Sequence, residues 1–135
     1  METLEIRKLR RSDESAFLKA LEQWDQDAGF TWVRGYETGM DFEKYLRWLE
    51  SVERGENLPD GYVPDTSLFG FVGEVIIGRI AIRHRLNDFL LKFGGHIGYG
   101  VLPQYRRRGY ATKMLSLSLP IAKELGIDNA LITCD

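Results

Sequence analysis

The 135-residue sequence predicts an α/β fold, a central mixed and mostly antiparallel sheet flanked by helices, in the order β-α-α-β-β-β-α-β. Three observations lead there. Short runs whose side chains alternate at period two recur along the chain, and two of them meet at Gly73-Glu74. Longer segments repeat apolar residues at helical spacing instead. The last of these helices lies between two strand-like runs, which makes a right-handed parallel crossover.

In chain order, Leu4–Leu9 alternates apolar residues with charges and reads as a half-buried first strand. Ser12 is placed as the N-cap of the first helix, with Asp13 and Glu14 suited to its first turn. Phe17, Leu21 and Trp24 then recur at helical spacing, with Leu18 beside them, and Gly29 ends the region. An aromatic connector, Phe30-Thr31-Trp32-Val33, precedes Gly35 and Gly39. Asp41 caps a second helix whose apolar stripe is Phe42, Tyr45, Leu46, Leu49 and Val52, with Lys44, Arg47, Glu50 and Glu53 turned outward. Gly55–Thr66, with Pro59, Asp60-Gly61 and Pro64, reads as a long loop. Ser67–Val72 and Val75–Leu86 are strands, and glycine at the first central position of their turn predicts a type II′ hairpin. Ile76, Ile80, Ile82 and Leu86 are expected on one face of the longer strand, and Arg79, Arg83 and Arg85 on the other. Asn87–Gly95 is compatible with a short capped helical turn or with a loop.

The stretch His96–Ala111, HIGYGVLPQYRRRGYA, follows. In its strand Ile97, Tyr99 and Val101 share one face, and His96, Gly98, Gly100 and Leu102 the other. Two glycines on one face leave bare main chain, which suits a bulge or a ligand lying against the backbone. Pro103 stops the strand. A helix over Gly109–Leu125 is expected to bury Met114, Leu115, Leu117, Leu119, Ile121, Ala122 and Leu125. Pro120 lies inside it and should kink it, at a cost of about 3 kcal/mol if uncompensated. Gly126 ends the helix, and Ala130–Thr133 reads as the last strand.

The totals set bounds. At 44% hydrophobic and 28% charged, residues 1–135 form one ordinary globular domain. The net charge of −2 excludes a general polyanion binder, so a basic site must be local. One cysteine, Cys134, cannot form an internal disulfide, and a reducing, cytoplasmic setting is expected. The N-terminus lacks the apolar core of a signal peptide, and no run approaches the ~20 apolar residues of a membrane helix, so no membrane partner is expected. His84, Cys134 and the scattered carboxylates show no metal-ligand spacing, and no Ser-His-Asp or Cys-His set stands out.

Phosphate chemistry is legible at Arg106–Ala111. The first amides of a helix have no internal partners and sit at the positive end of its dipole. Gly109 removes a side chain where an anion must come close, and Ala111 keeps the first turn slim. Arg106, Arg107 and Arg108 add charge. A pyrophosphate cradle from the amides of Arg107 to Ala111, Tyr110 included, is the sharper reading. A solvated basic turn is the plainer one. Nucleic-acid contact through the three arginines is disfavoured by the acidic total.

R-x-x-G-x-A after a strand, with G-Y-x-V/L-x-P just before it, resembles the coenzyme A pyrophosphate signature of the GNAT family of acyl-CoA N-acyltransferases. Arg106, Gly109 and Ala111 stand on its three defined positions. The order of elements is also that of the GNAT fold up to its fifth strand. The family continues with another helix and two strands, so a C-terminally incomplete domain is expected at Asp135. The resemblance implies transfer of an acetyl group from acetyl-CoA to a primary amine by direct attack in a ternary complex, without a metal. A non-catalytic acyl-CoA-binding or interaction domain is the alternative.

It further implies that the backbone of Tyr99, Gly100 and Val101 holds pantetheine and polarises the thioester. Many family members carry a glutamate directly before I-G-Y. His96 stands there instead, and an imidazole titrates near neutral pH, so His96 is the candidate general base, with a hydrogen-bonded strand-end histidine the competing reading; Glu74 is the second candidate, with a plain solvated turn residue the competing reading for it. The family's first interhelix connector lines the acceptor side. That makes Phe30 and Trp32, near Trp24 and Tyr36, a candidate substrate wall, with core packing the competing explanation. The family's tyrosine acid and pantetheine-binding asparagine after the fifth strand have no counterpart in this chain. The short C-terminus leads to expectations of weak coenzyme A binding, poor turnover and a homodimer through an open fifth-strand edge. The acceptor, a small-molecule or peptide amine, is not specified.

Overall fold

The computed structural model describes residues 3–24, 35–37, 39–56, 58, 60–92, 95–127, 130 and 132. Strands β1 (Leu4–Arg7), β2 (Asp65–Val72), β3 (Val75–Arg83) and β4 (Ile97–Val101) form one sheet in that order. Every pair in it is antiparallel. Helices α1 (Glu14–Gln23) and α2 (Phe42–Glu53) cover one face, where Phe17, Ala20, Phe42 and Tyr45 pack on Phe69, Phe71 and Ile76. Helix α4 (Tyr110–Glu124) covers the other, where Met114 and Ala122 pack on Leu4, Leu68, Ile80, Ile82, Ile97 and Val101. Leu68 and Phe69 are neighbours in sequence and lie in opposite cores, as strand alternation requires.

The first strand stops at Arg7, two residues short of the expected Leu9. The chain then folds back in a 3-10 turn over Arg11–Asp13, so Asp13 and not Ser12 occupies the N-cap of α1. The Asp13 carboxylate is engaged upstream: it accepts from both terminal guanidinium nitrogens of Arg7 at 2.8 and 3.0 Å and from the Arg10 amide at 2.7 Å. Asp41 stands at the N-cap position of α2, but its side chain makes no capping hydrogen bond there. Glu53, expected to face solvent, accepts from Lys8 Nζ and the Thr66 hydroxyl, both at 2.7 Å, and so ties the end of α2 to β2.

The hairpin turns at Gly73-Glu74, with Val72 opposite Val75. Gly73 has φ +63° and Glu74 is not in the left-handed region, the pattern of a type II′ turn. A bulge follows: Gly70 pairs with Gly78 while Phe71 pairs with Ile76, leaving Ile77 as the extra residue. That shifts the alternation by one. Ile77 joins Ile80 and Ile82 under α4, and Ile76 faces α1 and α2, contrary to the expected stripe. The strand also ends at Arg83, before Leu86.

Asn87–Gly95 holds a helical turn, α3 (Asp88–Lys92), and the Asn87 side-chain oxygen accepts from the Leu90 amide at 2.8 Å as its cap. Helix α4 buries a narrower face than expected. Met114, Ser118 and Ala122, four residues apart, are fully inside, whereas Leu117, Leu119 and Leu125 are exposed. Pro120 is accommodated within the helix. Of the expected strand Ala130–Thr133 only Ala130 and Ile132 are described. Ile132 forms a single bridge to Gly95, antiparallel where a parallel partner was expected. The proposed dimer edge lies largely outside the described residues. Among the described residues no helix is long and apolar enough to cross a membrane.

Candidate active site

The site begins at the outer edge of β4. In an antiparallel ladder residues alternate between turning both backbone groups toward the neighbouring strand and turning both away. The Arg83 amide donates to the His96 carbonyl at 2.6 Å, and the Leu102 amide to the Ile77 carbonyl at 2.8 Å. With the register Arg79↔Gly100 and Ala81↔Gly98, this places the backbone of His96, Gly98, Gly100 and Leu102 toward β3. Ile97, Tyr99 and Val101 therefore turn theirs outward. The sequence-based trio Tyr99, Gly100 and Val101 is thus divided: Gly100 is occupied by the sheet, and Tyr99 and Val101 turn their backbone groups away from β3. Two fastenings bracket that edge. Gly95 bridges Ile132 at one end, and the Val101 carbonyl accepts from Arg106 Nε at 2.9 Å at the other.

β4 then runs through a 3-10 turn, Pro103–Tyr105, into the basic loop. Arg107 has φ +63° and Gly109 φ +81°, so two left-handed residues flank Arg108. Such alternation turns successive amides toward one concavity that suits an anion. Arg107 is the one non-glycine residue with positive φ among the described residues, a strain typical of functional loops. Arg106, Arg107, Arg108 and Gly109 are all exposed. A Cβ built on Gly109 meets no atom within 4 Å. The Lys113 amide makes the first bond of α4, to the Gly109 carbonyl at 3.1 Å, and Gly109 supplies no side-chain cap. The amides of Tyr110, Ala111 and Thr112 therefore lack helical partners. Thr112 lies outside the cradle expected from sequence, because the helix starts at Tyr110, one residue later than the expected Gly109. The Arg108 guanidinium lies 5.7 Å from the Tyr105 ring centroid, and the Tyr105 and Tyr110 rings meet edge to face at 6.2 Å. These residues fit a diphosphate: bare glycine, unpaired amides and local positive charge occur together.

His96 sits just before β4 and is half-buried, and burial lowers its pKa from the ordinary imidazole value. It is held at the strand's entry by Arg83, whose amide binds the His96 carbonyl and whose guanidinium donates to the Gly95 carbonyl at 3.0 Å. Arg83 was legible only as one charge on a strand face. Glu74 is elsewhere. Tyr99 lies opposite Ile80, six residues along β3 from Glu74, which is ~20 Å at strand rise. The structure does not bring the two candidate bases together. Glu74 instead lines a cleft of 590 Å³ with residues of α1 and with Tyr105.

Phe30 and Trp32 lie outside the described residues. Tyr36 packs into the aromatic core, 5.1 Å from Phe17 and 5.4 Å from Tyr45, and Trp24 packs against the same cluster. Arg79 pairs across from Gly100, yet it is buried; it donates to the Ser67 hydroxyl at 2.8 Å beside the Phe69 ring. Among the described residues no cluster of His, Cys, Asp and Glu has the arrangement of a metal site.

The acetyltransferase (GNAT) domain family model matches residues 3–135. Among solved structures, the acetyltransferase of the GNAT family from Streptococcus pneumoniae superposes with a TM-score of 0.57 at 16% sequence identity, covering 93% of this chain and 70% of that one. No curated protein matches in sequence.

Proposed function

From the premise that the chain belongs to the GNAT acetyltransferase family, we propose that it moves the acetyl group of acetyl-CoA onto a primary amine by direct attack. The observation that carries this reading is the continuity of the outward β4 edge with the exposed start of α4. Tyr110, Ala111 and Thr112 amides, with the arginines around them, hold the diphosphate of the donor. Tyr99 and Val101 present backbone groups along which its pantetheine arm lies, and an outward N–H there polarises the carbonyl. The donor, when bound, supplies an acyl group activated as a thioester. His96, whose pKa burial lowers, accepts the proton that the amine loses, at a ring nitrogen. The acceptor is a small-molecule or peptide amine.

Two measurements on the full chain test this. Coenzyme A should raise the melting temperature, and Gly109→Val should abolish the rise. Thiol release from acetyl-CoA should depend on an added amine from a panel of polyamines, amino sugars, amino acids and peptides. Binding without amine-dependent release would leave an acyl-CoA-binding domain; no binding would remove the reading altogether.

A further inference from the structure

The cleft between α1 and the β2–β3 turn has no part in the acyl-transfer reading. Its volume, 590 Å³, lies within the range of small-ligand sites. It exists because Ala16 and Ala20, one helical turn apart, present short side chains above Ile76. Its charges are simple to account for. Arg7 and Asp13 form one end and answer each other through two hydrogen bonds. That leaves Lys19 on the helix wall and Glu74 on the turn wall, both exposed, neither in an ion pair among the described residues. Uncharged polar groups, Ser15 and Gln23, lie on the same wall as Lys19.

A ligand of one sign would be drawn to one wall and repelled by the other. A ligand carrying both signs is matched by both. We infer that this cleft binds a small zwitterion of amino-acid or short-peptide chemistry, its carboxylate toward Lys19 and its ammonium toward Glu74. The short side chains of Ala16 and Ala20 leave room for an extended backbone between the two charges.

The test is a titration of the isotopically labelled full chain with glycylglycine, with no acyl donor present, followed by amide NMR. N-acetylglycylglycine and glycylglycinamide, each lacking one charge, are titrated in parallel. Glycylglycine should move the Ala16, Ala20 and Val75 amides saturably. Each blocked peptide should bind at least about tenfold more weakly, the loss of one charge contact. Lys19→Gln and Glu74→Gln should each weaken glycylglycine by a similar factor while leaving the melting temperature unchanged, since both side chains are exposed. Equal affinity for all three peptides, absence of saturable shifts in the cleft, or full binding by both variants would overturn the inference. Because no donor is present, none of these outcomes depends on acyl transfer.

Discussion

Asp13 shows how a single side chain can fasten two segments. Burial by itself pushes its carboxyl up; the Arg7 guanidinium and the Arg10 amide outweigh that and hold it below the usual aspartate range. A carboxyl whose folded pKa is depressed adds stability above its unfolded value and loses it as pH falls through the folded one. Asp13→Ala should therefore lower the unfolding free energy by about 2 kcal/mol in urea at neutral pH, and by progressively less in acid. His96 has the opposite charge type with a lowered value: above pH ~6.5 it is neutral in both states, and stability falls only as pH drops below that, where the unfolded chain takes up the proton first. The acid limb of the acetylation rate should accordingly lie below pH ~6.5. His96→Gln should remove that limb along with most of the rate; an unchanged pH profile would exclude His96 as the base. Gly109 separates stability from binding. A methyl there meets no protein atom, so Gly109→Ala should cost about 1 kcal/mol of folding through its left-handed backbone, yet weaken coenzyme A binding more by crowding the amides. The arginines and glycine of this loop were readable in the sequence because anion chemistry needs those residue types. The split between Gly100 and its neighbours was not, since it depends on which backbone groups β3 takes.

At the level of elements, periodicity found each described strand and the three longer helices, because burial on one side imposes a period of two or 3.6. It failed where local geometry changed the phase. Nothing in Val75-Ile76-Ile77-Gly78 marks Ile77 as a bulge, since three apolar residues in a row serve either face. The packing explains why Gly78 is there: a Cβ would lie 2.8 Å from the Gly100 carbonyl oxygen and 2.9 Å from Met114 Sδ. Gly78→Ala should destabilise by about 1–3 kcal/mol. Trimming Met114 to Ala should not restore that loss, because the backbone oxygen of β4 stays in place and the empty volume adds its own cost of about 2–5 kcal/mol. Chemical denaturation of the two single variants and the double variant checks both values.

For the whole molecule, the donor reading sets a local positive loop on a chain of net charge −2. Exposed arginines are screened by salt, so coenzyme A affinity should fall steadily as ionic strength rises from low to physiological, while Asp13-dependent stability changes little. Melting-temperature shifts with coenzyme A at several salt concentrations measure this. What the amino-acid order determined by itself is the part governed by local rules: the class of fold, the hairpin with its glycine turn, the start of α2 after Asp41, and a basic glycine loop ready to open a helix. Tertiary structure alone decided which backbone groups remain at the β4 edge, that Arg79 is buried, and that Glu74 and His96 stand far apart. It also decided that a two-charge cleft opens beside α1. Those features come from pairing and packing between residues distant in the chain, and register, unlike periodicity, is not a property of any one segment.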